Sequence, residues 1–261
     1  MNDVLEFPLH PDEAALWWLG QAGYLVRSMG LTLAIDPYLS DSGAAGGQMR
    51  RLYPPPLDPR QLKVDIFLIT HDHVDHLDPE TVGAYNHMST TTFVAPRHAA
   101  AHLRRLGVSD EHLVSIHAGD VWEHGPLTVL GTFCLPTDKS ALDTTGYCLR
   151  FRNGRSCWFV SDTAWTPLVI RAAPRDPVPE AVLLPFNGKF GNINIEQALD
   201  IVEPLKPRFI FPNHHDCMRL NTEDPESFLF FATRRGLRDA CVFPALMRPF
   251  VWNETTIVQC P

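Results

Sequence analysis

Short apolar runs broken by turn residues dominate this chain. Leu16–Leu19 and Tyr24–Arg27 flank Gly20-Gln21-Ala22-Gly23 and predict a hairpin, with Leu31–Ile35 as a third strand after Met29-Gly30. Asp36-Pro37 stops that strand, because proline cannot continue the ladder. Ser40 to Pro59 is rich in glycine and proline and predicts a long loop, a kind of segment that is usually functional or mobile in a compact domain. Val64–Thr70 is a short apolar run with the pattern of a buried strand, and it leads directly into a segment crowded with histidine and aspartate.

Downstream, Pro79–His87 and His98–Leu106 predict helices on either side of a strand at Thr92–Ala95. Strands follow at Leu113–Ile116, Leu127–Leu135, Gly146–Phe151 and Cys157–Val160. A helix over Trp165–Ala172, a strand at Ala181–Leu184, a helix over Ile195–Glu203, a strand at Phe209–Phe211 and a helix over Pro225–Arg235 come next. Cys241–Phe243 and Phe250–Trp252 predict the last strands. Strand clusters followed by helices occur twice, which implies two sheets packed together with helices outside. No repeat or linker divides the series, so a single domain over 1–261 is expected.

Composition narrows the class. At 45% apolar and 20% charged residues, the 261-residue chain has the balance of a soluble globular protein. A formal charge of -8 argues against a broad nucleic-acid or anionic-membrane surface. No apolar run approaches a membrane span and the N-terminus lacks a signal-peptide pattern, so a cytoplasmic location is expected. The cysteines are scattered, without a C-x-x-C pair, and read as reduced, mostly buried thiols. A small-molecule substrate fits this balance, and a homo-oligomer is compatible with it.

The chemistry lies in His71-Asp72-His73-Val74-Asp75-His76, placed just past a predicted strand end. Neutral imidazole and carboxylate suit zinc, manganese or iron, and alternation turns His71 and His73 to one side. Asp75 and His76 fall where the chain turns towards the next helix and can face a second ion. Asp138, Asp162 and His214 also follow predicted strands and are candidate ligands. An aspartate after a strand is commonly a turn former or helix cap, a role Asp162 can also fill in Ser161-Asp162-Thr163. Beyond these, Asn187-Gly188-Lys189-Phe190-Gly191-Asn192 is a glycine-containing loop expected at the rim of the same pocket. Lys189, with Asn187 and Asn192, is a candidate for substrate binding there, and Arg219 is a further candidate for an anion.

These residues carry a resemblance. Trp17-Trp18-Leu19-Gly20, Ile35-Asp36, Thr70 to Asp78, Ser161-Asp162-Thr163, Pro212-Asn213-His214-His215-Asp216 and Arg248-Pro249-Phe250-Val251-Trp252 resemble the metallo-β-lactamase superfamily, and within it the L-ascorbate-6-phosphate lactonase family. The resemblance implies an α+β fold, a four-layer αβ/βα sandwich, with a dinuclear metal site at one sheet edge. It assigns His71 and His73 to the first metal, Asp75, His76 and His214 to the second, and Asp162 to the bridge, with His215 as the rival of His214. Asp36 matches the superfamily aspartate that steadies the ligand loop. Asp138 stands where the superfamily usually has a histidine; as a ligand it hardens the site and favours manganese over zinc. The implied activity is hydrolysis of a small ester or lactone, phosphorylated or not, with Asp75 as the catalytic carboxylate. A phosphodiesterase and a di-iron redox enzyme use similar ligand sets and stay open as alternatives.

Overall fold

The computed structural model describes residues 1–46, 49–255 and 257–259. In chain order the strands are β1 (Ala14–Gly20), β2 (Gly23–Ser28), β3 (Leu31–Ile35), β4 (Ile66–Leu68), β5 (Thr92–Ala95), β6 (Leu113–Ser115), β7 (Val121–His124), β8 (Leu127–Phe133), β9 (Thr145–Phe151), β10 (Ser156–Phe159), β11 (Ala181–Pro185), β12 (Phe209–Asn213), β13 (Pro249–Trp252) and β14 (Ile257–Gln259). The helices are α1 (Asn2–Leu5), α2 (Pro79–Ala84), α3 (Arg97–Arg105), α4 (Pro167–Arg171), α5 (Ile195–Val202) and α6 (Pro225–Arg234). One sheet has the order β14-β13-β1-β2-β3-β4-β5-β6 and the other β12-β11-β10-β9-β8-β7.

The apolar runs are continuous because most strands are covered on both faces. Along β1, Leu16 and Trp18 point between the sheets, whereas Ala15, Trp17 and Leu19 pack outward with residues of α2 and α3. Along β11 and β12, Leu183 and Phe211 face the other sheet, while Val182, Leu184 and Ile210 meet α5 and α6. Helix, sheet, sheet and helix therefore stack as the expected α+β four-layer sandwich. Among the described residues, no helix is long and apolar enough to cross a membrane. Cys134, Cys148, Cys157 and Cys217 are buried free thiols and Cys241 is half-buried; Cys260 lies outside the described residues.

Each sheet is part antiparallel and part parallel. In the first, β3, β4, β5 and β6 run parallel; in the second, β10, β11 and β12 do. In open α/β sheets the carboxyl ends of such strands are where ligands are placed.

Two of the predicted elements differ in kind or in start, and α1, β7 and β14 are additional to the sequence reading. Cys241–Phe243 is not a strand: only Cys241 bridges to Ile210, with Val242 N–H donating to the Ile210 carbonyl at 2.8 Å. Pro244 follows at once and has no N–H with which to extend the ladder. The helix expected over Trp165–Ala172 begins only at Pro167, with the Thr166 side chain capping the Leu168 N–H.

The long loop after β3 is tied down at both ends. Asp78, the N-cap of α2, accepts from the hydroxyls of Ser40 at 2.9 Å and Ser42 at 2.7 Å. Further along, Arg51 lies between the rings of Tyr38 and Tyr53, and Leu52 N–H donates to the Cys217 carbonyl at 2.8 Å. This loop becomes a wall beside the segment that follows β12.

Candidate metal centre

Four of the parallel strands end in a polar residue turned towards one spot. Past β3 comes Asp36, past β4 the run His71–His76, past β10 Asp162, and past β12 His214. The turns are sharp. Asp36, Ser161 and His214 have φ of 43°, 68° and 64°, and Gln21 in the β1–β2 turn has 52°. Side chains other than glycine rarely adopt this left-handed region, and such strain clusters at functional sites.

Asp36 organises the histidine run from behind. Its two carboxylate oxygens accept from the Thr70 N–H at 2.8 Å and the Thr70 hydroxyl at 2.6 Å. The second oxygen also lies 2.7 Å from His76 Nδ1, which leaves Nε2 of that ring facing the site. Within the run, Leu77 N–H donates to the His73 carbonyl at 2.8 Å, closing a turn that carries Asp75 and His76 inward. The His71 and His76 rings lie 4.0 Å apart between centres, tilted by 43°, and His71 Nε2 lies 2.9 Å from His73 Nδ1.

Two groups of donor atoms result. One comprises His71, His73 and Asp162; the other comprises Asp75, His76 and His214. In each, one donor atom per residue lies within 4.8 Å of the others. Asp162 joins the groups, because its Oδ1 is 2.8 Å from His214 Nε2 and 3.4 Å from His76 Nε2. Despite that proximity, all three atoms are buried without a hydrogen bond. Native interiors seldom leave such atoms unsatisfied, and lone pairs aimed at a common point are what a cation requires. The donors, imidazole and carboxylate alone, fit a divalent transition metal.

The charges are set against one another. Burial opposes a charge on His76, but Asp162, Asp75 and Asp36 outweigh it and hold its pKa well above the ordinary value. Burial likewise disfavours the Asp162 anion, yet His214 and His76 pull its pKa well below the usual carboxylate range. His71 is driven well below normal by burial and by His76, against the opposing pull of Asp162. This is a pocket of anions that attracts positive charge.

A layer of carboxamides holds the acids. Gln21 Nε2 donates to Asp75 Oδ2 at 2.9 Å and lies 3.0 Å from His214 Nδ1, while Asn221 Nδ2 reaches Asp75 Oδ2 at 3.3 Å. Asn192 donates to Asp162 Oδ2 at 2.7 Å and accepts from the Thr163 N–H at 2.9 Å. Gln21 and Asn221 are absent from the sequence-based candidates. The available signal is a polar residue between two glycines in an otherwise apolar hairpin, which equally describes a solvated turn.

The other candidates fall in distinct places. Asp138 is half-exposed, with Oδ1 3.3 Å from His73 Nε2. The hydroxyl and backbone N–H of Ser140 hold its carboxyl at about 2. Asn187 donates to Asn221 and so backs the layer that holds Asp75. Lys189 pairs with Glu223 at 3.0 Å, and Arg219 is exposed. His215 turns away into an aromatic pocket, stacked on Trp18 at 4.5 Å with Phe243 at 5.3 Å, and belongs to neither donor group.

Residues 32–215 match the profile of the beta-lactamase superfamily domain. The chain belongs to that family. Among its relatives, a UPF0173 metal-dependent hydrolase of Methanosarcina mazei is 26% identical over 222 residues, covering 81% of this chain and 87% of the relative. An uncharacterised protein of Mycobacterium tuberculosis is 36% identical over 127 residues, but these are 47% of this chain and 33% of that protein, so the match spans about a third of the longer relative. In fold, the chain is similar to an isothiocyanate hydrolase from Delia radicum gut bacteria, with a TM-score of 0.76 at 19% identity over 92% of this chain and 99% of that one. It is also similar to a diiron β-hydroxylase from Streptomyces venezuelae, with a TM-score of 0.68 at 21% identity, covering 94% of this chain and 55% of that one. Likenesses at this identity show the fold alone, and the chemistry lies with the residues of the site.

Proposed function

We propose that the chain, as one domain over 1–261, is a dinuclear metal-dependent hydrolase that cleaves a small ester or lactone. The observation that carries this is the pair of donor groups joined by Asp162, with buried and unsatisfied Nε2 atoms on His76 and His214. Relatives described as metal-dependent hydrolases over nearly their full length support the class. Divalent ions held there, manganese or zinc or alternatively iron, would supply Lewis acidity. His71, His73 and Asp162 are assigned to one ion and Asp75, His76 and His214 to the other, with Asp162 shared.

The chain's own residues manage the protons and the geometry. Asp75 keeps its carboxylate fixed through Gln21 and Asn221, and accepts a proton from the attacking water. The water oxygen bonds to the carbonyl carbon, the ester C–O bond breaks, and Asp75 returns that proton to the departing oxygen. An ester gives a carboxylate and an alcohol, and a lactone a single hydroxycarboxylate, with the remaining proton released to solvent. The test is metal content by elemental analysis, then turnover of neutral lactones, aryl esters and phosphodiesters with that metal. About two equivalents and chelator-sensitive ester or lactone hydrolysis are expected. Preferential phosphodiester cleavage, or oxygen consumption with a reductant and no hydrolysis, would replace the reading.

Asp138 completes the His71/His73 side in this proposal, because its anion already lies beside His73. Asp138→Ala should weaken one metal equivalent by about 10–100-fold in chelator competition, the range seen for residues supporting a metal site. Asp138→His should shift the preference towards zinc. Unchanged affinity for both equivalents in the alanine variant would return Asp138 to the role of a turn residue.

A further inference from the structure

We infer that Phe190 is the specificity wall of this site, and that its substrate is an uncharged ester or lactone bearing an apolar, aromatic-sized group. The inference rests on the hydrolase reading for the words ester and lactone, though not for the shape of the pocket. A cavity of about 200 Å³ adjoins the donor groups, lined by Met49, Val74 and Phe190 on its apolar side and by Ser140 and Asn221 among its polar residues. It is smaller than drug-sized sites of roughly 300–1,000 Å³, so a compact molecule fits.

Phe190 is unusual in two independent ways. It is 55% exposed although aromatic, and its φ of 50° lies in the left-handed region that bulky side chains avoid. Its neighbour explains how it is held there. Gly191 has φ of 86°, and a Cβ on it would come 2.4 Å from the Thr137 carbonyl oxygen. The loop is therefore pressed against the segment carrying Asp138, which fixes the ring at the mouth of the cavity instead of in the core. Backbone strain of this kind clusters at active sites and ligand clamps, and an aromatic ring offers a large apolar contact area.

The charge of the lining separates this class from its rival. Among the described residues lining the cavity there is no lysine or arginine, and Asp138 adds a carboxylate. Lys189, adjacent in sequence, is engaged by Glu223, and Arg219 is outside the lining. With no cationic side chain in that lining, an anionic group remote from the reacting carbonyl finds no side-chain partner there. A phosphorylated substrate is disfavoured.

Ketones that cannot be hydrolysed test the pocket apart from the reaction. Binding of cyclopentanone, 2-benzylcyclopentanone and its 4-carboxybenzyl analogue to the metal-loaded protein would be measured by calorimetry, with turnover of the matching lactones alongside. The benzyl ketone should bind at least about tenfold more tightly than cyclopentanone, and more tightly than the carboxylated analogue. Phe190→Ala should abolish the benzyl preference and Phe190→Leu should restore part of it. Phe190→Gly, which suits the left-handed backbone, guards against misfolding and should behave as the alanine variant does. Tighter binding of the carboxylated ketone, or a benzyl preference that survives Phe190→Ala, overturns the inference. Benzyl preference without turnover of either the lactones or the aryl esters upholds the wall and instead removes the hydrolase reading.

Discussion

Asp162→Ala should abolish hydrolysis and loosen metal in both donor groups together. Asp162 is the residue the two groups share, 2.8 Å from His214 on one side and with a donor atom within 4.8 Å of those of His71 and His73 on the other. Its second oxygen is held by Asn192 at 2.7 Å, so the carboxylate that the variant removes is a fixed one. Turnover should fall by at least the ~10²–10³-fold typical of removing one electrostatic element from an active site. Elemental analysis should show both equivalents reduced, which separates a shared ligand from one that serves a single ion. Two tightly held equivalents in the variant would show that Asp162 caps the segment after β10 and does no more.

The second large effect is expected at Asp75. Asp75→Asn preserves volume, and one amide oxygen can still accept from Gln21 or Asn221, so the melting temperature should change little. An amide cannot take a proton from water, and the loss of a general base costs about 10²–10⁴-fold in rate. Thermal melting followed by circular dichroism, together with turnover on whichever ester or lactone the panel identifies, reads both halves. Wild-type turnover in a metal-loaded variant would strip Asp75 of its proton-transfer role, whatever its part in binding metal.

The strands near the site were legible because they are covered on both faces. Runs such as Trp158-Phe159-Val160 and Phe209-Ile210-Phe211 are apolar at every position, which few loops are. β7 escaped for the opposite reason: it is an edge strand, Val121 is 62% exposed, and Val-Trp-Glu-His shows no clean alternation. The ligand run was legible because close spacing along the chain needs no tertiary information. The carboxamides were not, since each works at long range: Gln21 reaches a residue 54 positions away and Asn221 one 146 positions away. Asn192 illustrates the ambiguity. Its loop reads as a pocket rim, but its side chain secures Asp162, and the residue of that loop that lines the cavity is Phe190.

The left-handed turns at Gln21, Asp36, Ser161 and His214 bear on engineering. Grafting only the seven proposed ligands onto another pair of sheets would omit the bends that aim them. Each bend costs about 1–3 kcal/mol outside glycine, so an unconstrained host backbone would relax and scatter the donors. Glycine at Ser161 would ease its turn, because no hydrogen bond holds that hydroxyl. At Gln21, Asp36 and His214 the same change would delete the side chain for which the bend exists. A transplant must therefore import the turns and the residues that brace them, and only one of the four leaves room to gain stability.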